Sequence, residues 1–211
     1  MKQLILLIFF LMQFGFIFGQ VQINTEEVKR YFTPNEQKEL GKVVAYVDSI
    51  IYSKTKIVNI DSSYHQYFEI LNENAANGNY EWAFNEEMKY KFLFGIDPAV
   101  YNKIWIKETP RMVRNRDTTL YNPEGYISID LNHMGDFVKL LKNIGDTSSV
   151  YKEIQEQIEI VGGLPPSLVG GFLYNHKIFN FNNKNDHLWA AIFLLTLEES
   201  VDKKLKRYLN E

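Results

Sequence analysis

From Thr33 to the C-terminus, apolar residues recur at three- and four-residue steps between clear start and stop signals, and this periodicity commits the chain to a mainly helical fold. The strongest start is Thr33-Pro34-Asn35-Glu36. Thr33 suits the cap, Pro34 the first helical position, and Glu36 sits where its carboxylate can reach back to the cap. Leu40, Val43, Val44, Val47, Ile50 and Ile51 then line one helix face, and Glu26–Phe32 reads as a short helical lead-in. A second helix starts near Asp61 or Ser62, carries Tyr64, Phe68, Leu71 and Ala75, and stops at Asn77-Gly78, because glycine accepts the left-handed conformation common at helix ends.

Asn79 is read as the cap of a third helix, with Tyr80, Phe84, Met88 and Phe92 on its face. Asp97-Pro98 opens a short helix through Val100, Tyr101, Ile104 and Trp105. Residues 109–130 break the pattern with Pro110, Asn115-Arg116-Asp117 and Asn122-Pro123-Glu124-Gly125. There Met112-Val113 and Leu120-Tyr121 are placed to pair as a small hairpin, with Tyr126–Ile129 as a strand stub. Helices resume through Phe137–Ile144, through Val150–Val161, and after Pro165-Pro166. Asp186 is expected to cap a last helix from His187 to about Leu209, apolar all round at first and therefore central, then charged and wet. The expected architecture is one compact domain of about six to eight helices, with an irregular or β-hairpin insertion near 109–130.

Ahead of this domain, Lys2 precedes an apolar run from Leu4 to Phe18, with small Gly19 at its end. The run is short for a spanning helix, which needs about 20 residues. Residues 1–19 are therefore expected to be a cleaved signal peptide, and residues 20–211 a soluble, periplasmic or secreted product without a membrane span. With no cysteine there is no lipid-modified cysteine, disulfide, thiolate nucleophile or Cys-ligated metal, so the core alone must stabilise the fold. Abundant Asn without any Asn-x-Ser/Thr sequon fits a bacterial exporter. A net charge of −3 with no basic stripe argues against nucleic-acid binding.

The chemistry-bearing residues form no complete catalytic set. No two of His65, His133, His176 and His187 are four apart, as a helical zinc-protease motif requires. His176 and His187 flank the Asn180–Asp186 loop, where folding has the chance to bring them together. That loop lacks the glutamate of a calcium-binding loop, and neither metal nor cofactor is expected. His65 and Glu69 are a helical turn apart, the spacing of an oriented base or an ordinary surface pair. Ser167 follows two prolines where a nucleophile elbow needs glycine and a strand.

Arg111, Arg114 and Arg116 crowd the irregular middle, suited to gripping a carboxylate or phosphate, or to pairing with Glu86 and Glu87. The leading expectation is a non-catalytic envelope or secreted protein that binds another protein as an inhibitor, immunity-like factor or assembly accessory, with contacts in 109–130 and the 162–187 loops. One rival is a cell-wall hydrolase using helix-borne carboxylates, drawn from Glu69, Glu73, Glu81, Glu86 and Glu87. Another is a small-ligand carrier with an aromatic pocket.

Overall fold

The computed structural model describes residues 21–78 and 84–209. The expected signal peptide lies outside them.

Helix α1 (Glu26–Lys29) is capped by the Thr25 hydroxyl, and α2 (Pro34–Thr55) by the full capping box of Thr33 and Glu36. The expected face of α2 is buried except for half-buried Ile50, and α3 (Ile60–Ala76), capped by Asn59, lies against it. Helix α4 (Glu86–Leu93) departs from expectation. Its cap is Asn85, whose side chain accepts from the Met88 amide, and Phe84 sits in a bend instead of on a helix face. The rest of the expected start, at Asn79 and Tyr80, lies outside the described residues.

Asp97 caps α5 (Pro98–Ile104), but Trp105 turns out of that helix into strand β1 (Trp105–Glu108). The helical reading carried one residue too far because Trp105 is both four after Tyr101 and the first inward residue of a strand. Strands β2 (Met112–Arg114) and β3 (Thr119–Tyr121) form the expected hairpin, with Met112 opposite Tyr121 and Val113 opposite Leu120. Strand β4 (Ser128–Leu131) pairs antiparallel with β1, Trp105 opposite Leu131 and Glu108 opposite Ser128. In this two-stranded ladder Trp105, Ile129 and Leu131 are buried. Ile106, Glu108, Ser128 and Asp130, on the other face, are half-buried or exposed.

Helices α6 (Asp136–Gly145) and α7 (Ser149–Val161) pack together, and α7 ends at Gly162 with φ 85°. Helix α8 (Pro166–Asn175) runs into a 3₁₀ turn at His176–Ile178 and lies on α3. Helix α9 (Lys184–Thr196) is capped by Asn183, which satisfies the Asn185 and Asp186 amides. The expected cap, Asp186, lies inside the helix and instead accepts from the Tyr151 hydroxyl and the Asn180 amide. From His187 to Thr196 every residue is buried, as the all-round apolar pattern required, and α9 packs on α2 and β4. The single long last helix is not formed. Leu197 is extended, and a separate α10 (Val201–Leu209) follows. The fold is thus a mainly helical domain of ten α-helices among the described residues, with a small insertion of two antiparallel strand pairs. Among the described residues no helix is long and apolar enough to cross a membrane.

Candidate functional site

Of the four histidines, His176 and His187 are buried, and His65 and His133 are half-buried. His187, in the first turn of α9, contacts Asp48 of α2, Nε2 to Oδ1 at 2.7 Å. Tyr64 of α3 donates to the same carboxylate oxygen at 2.8 Å, and all three side chains are buried. Burial, then the charge of Asp48, pushes the Tyr64 hydroxyl far above its ordinary range. The trio ties together three helices through buried side chains, which makes it a structural lock.

His176 and His187 do not meet. His176 instead faces His65, Nδ1 to Nδ1 at 2.9 Å, so one ring must donate and the other accept. Burial, then the His65 ring, pulls His176 down to about 4. His65 also lies 3.4 Å from Asp61, whereas Glu69 pairs with Lys177 at 2.8 Å. The expected His65–Glu69 pair is therefore replaced by two others. His133 stands apart from both pairs, beside Gly162.

Arg111, Arg114 and Arg116 are all exposed and none forms an ion pair among the described residues. They do not reach Glu86, which α10 occupies instead. The hairpin's inner residue Val113 joins Tyr126 and Leu205 in a small apolar cluster, with Leu120 and Tyr208 packed on it. Alternation then turns Met112, Arg114, Thr119 and Tyr121 outward. Met112 is 52% and Tyr121 74% exposed, directly opposite each other on the two strands.

Helix α10 holds the hairpin through its apolar side and is itself held by charge. Arg207 contacts Glu86 and Glu199 at 2.5 Å each, while Lys204 reaches Glu198 at 2.9 Å and Glu86 at 3.6 Å. Burial works against the charge of Glu86, but the Glu199 hydrogen bond and these cations outweigh it and lower its carboxyl. Burial and the Glu86 carboxylate together raise Glu199 to about 7. Lys89, buried and donating to the Leu197 carbonyl at 2.7 Å, is lowered to about 8 by desolvation.

Below this cluster opens a cleft of about 660 Å³. One wall is the half-exposed face of the β1–β4 ladder, with Glu108, Ser128 and Asp130; Glu198 closes an end. Its floor is aliphatic: Leu164, Pro166, Val169, Leu173 and Leu197. Glu198 is fully engaged, its Oε1 accepting from Tyr90 and the Ile129 amide, its Oε2 from Ser128 and Lys204. Asp130 Oδ1 accepts from the Leu164 and Leu131 amides at 2.9 and 2.7 Å. Its carboxylate lies so close to Gly163 that any Cβ there would collide with it. Burial, then repulsion from Glu108 and Glu198 against the pull of the two amides, raises the Asp130 carboxyl. These carboxylates stand on strands and a turn, whereas the sequence pointed to helices; Glu81 lies outside the described residues. Among the described residues no aromatic side chain lines this cleft; Phe68, Phe172, Phe181 and Phe193 pack against one another in the core.

Sequence reading missed Glu108, Asp130 and Glu198 because they converge through strand register and a helix break. The one local signal was the alternation Ser128-Ile129-Asp130-Leu131. No family model matches the chain, and neither a curated protein nor a solved structure matches it.

Proposed function

We propose that this is an exported, non-catalytic binding factor that takes an acidic protein partner on the outer face of the β2–β3 hairpin. The observation that carries the reading is the exposed Met112–Tyr121 cross-strand pair beside three arginines that form no ion pair among the described residues. Tyrosine and arginine dominate the energetically decisive positions of protein interfaces, since both combine large contact area with directed polar groups. The arginine forks suit carboxylates, and Met112 supplies an adaptable apolar contact. The hairpin rests on α10 through Val113, Tyr126 and Leu205, which presents this face on a packed support. Export is supported by the apolar run from Leu4 to Phe18.

The test is affinity capture from the producing cell's envelope extract with wild-type bait and with Arg114→Glu/Tyr121→Ser bait of equal melting temperature. A stoichiometric partner retained by the first and lost by the second is the expected result. A partner held equally by both baits contradicts the hairpin assignment.

A further inference from the structure

We infer that the cleft between the β1–β4 ladder and α8 binds a small organic cation, a primary ammonium carried on an apolar stem. This site is separate from the hairpin and does not depend on the reading above. Its volume of about 660 Å³ falls in the range of small-molecule sites. The floor, with Val169 and Leu173 of α8 and Leu197, offers an aliphatic surface to a hydrocarbon stem. Charge complementarity fixes the other end of the occupant. Of the carboxylates on the cleft, Glu198 is ion-paired with Lys204, whereas Glu108 and Asp130 form no ion pair among the described residues.

The ladder register sets the spacing of that uncompensated pair. Asp130 is opposite Ile106 and Glu108 opposite Ser128, so the two acids are diagonal neighbours on one face. Diagonal positions of this kind lie about 7–8 Å apart, and an ammonium between them can donate to both. No group of three His, Asp or Glu side chains among the described residues is gathered closely enough to hold a metal ion, which favours a cation with reach. The position of Asp130 is built in. Gly163 leaves room for its carboxylate, the Leu164 and Leu131 amides bond one oxygen, and Oδ2 makes no hydrogen bond among the described residues. An ammonium there would relieve the repulsion among these carboxylates while its stem covers the aliphatic floor.

The experiment is an NMR shift titration of the folded chain with hexylammonium, with hexan-1-ol as the neutral analogue and an acetylated, amidated Ala-Lys-Ala tripeptide as a second arm. Saturable shifts at Ser128–Asp130 and Val169–Leu173 with hexylammonium, and at least tenfold weaker binding of hexanol, are expected. Glu108→Gln, a change at an exposed side chain that makes no hydrogen bond among the described residues, should weaken hexylammonium at least threefold, and Asp130→Asn at least tenfold. Should Asp130→Asn fail to fold, Glu108→Gln alone decides. Equal binding of alcohol and amine, an unchanged Glu108→Gln variant, or shifts elsewhere would overturn the proposal. Saturable binding of the tripeptide with none of hexylammonium would overturn the small-cation assignment in favour of a polypeptide lysine.

Discussion

At the scale of single residues, the most consequential side chains are polar groups inside the fold. Asp48 accepts from both Tyr64 and His187, and all three side chains are buried. Removing one partner of such a buried set strands the rest without replacement, at a cost of about 3–5 kcal/mol. Asp48→Ala should therefore lower the urea unfolding free energy by about that much, whereas an exposed change such as Val58→Ser should stay within about 0.5 kcal/mol. His176 makes a pH prediction. In the folded chain it takes up its proton only near 4, against its ordinary 6.5. The unfolded state therefore binds more protons between those values. The stability gained from the neutral imidazole is complete above about pH 6.5 and is lost as pH falls through 4. Thermal melts from pH 7 to 4 should show a fall that His176→Phe reduces. An unchanged slope in that variant would remove His176 from the account. None of these partners was legible in sequence, since Asp48 and His187 are 139 residues apart.

At the scale of elements, legibility followed locality. The capping box at Thr33, the Gly162 stop and the pairing of Met112-Val113 with Leu120-Tyr121 depend on a few adjacent residues, and all three formed as read. The break after Thr196 depends on distant groups. Residues 197–200 contain neither glycine nor proline, so helical periodicity runs through them. The helix stops because the Glu198 carboxylate is captured by the Ile129 amide and Ser128, while Lys89 takes the Leu197 carbonyl. The resulting turn sets α10 against Glu86 and Glu199. Glu199 keeps its proton up to about 7 in the folded chain, against 4.5 ordinarily. Its contribution to docking is therefore full below pH 4.5 and is lost as pH rises through 7. Lys203, Arg207 and Glu86 face it and set the size of the effect. Hydrogen-exchange protection of the α10 amides should fall from pH 5 to pH 8, relative to that of α2. Glu199→Gln, which mimics the protonated form, should flatten the difference; a variant as pH-sensitive as wild type would rule Glu199 out as its source.

At the scale of the molecule, one apolar core organises the helices and a small second cluster under the hairpin attaches the insertion. The core was readable because helical periodicity and burial are the same fact seen twice, most plainly in α9. The candidate surfaces were readable only in part. The arginines could be seen crowding 111–116, but their exposure required knowing that α10 takes Glu86 for itself, and the cleft required the pairing of β1 with β4. The central claim is that the outward hairpin face is where a partner sits. Its most direct test is a photo-crosslinking amino acid placed at Tyr121 and, as a control, at exposed Val58, in the chain expressed in its own cell. The account predicts one dominant crosslinked protein from position 121, absent from position 58 and lost when Arg114 is changed to Glu. Crosslinks of equal yield from both positions, or from 121 regardless of Arg114, would contradict it.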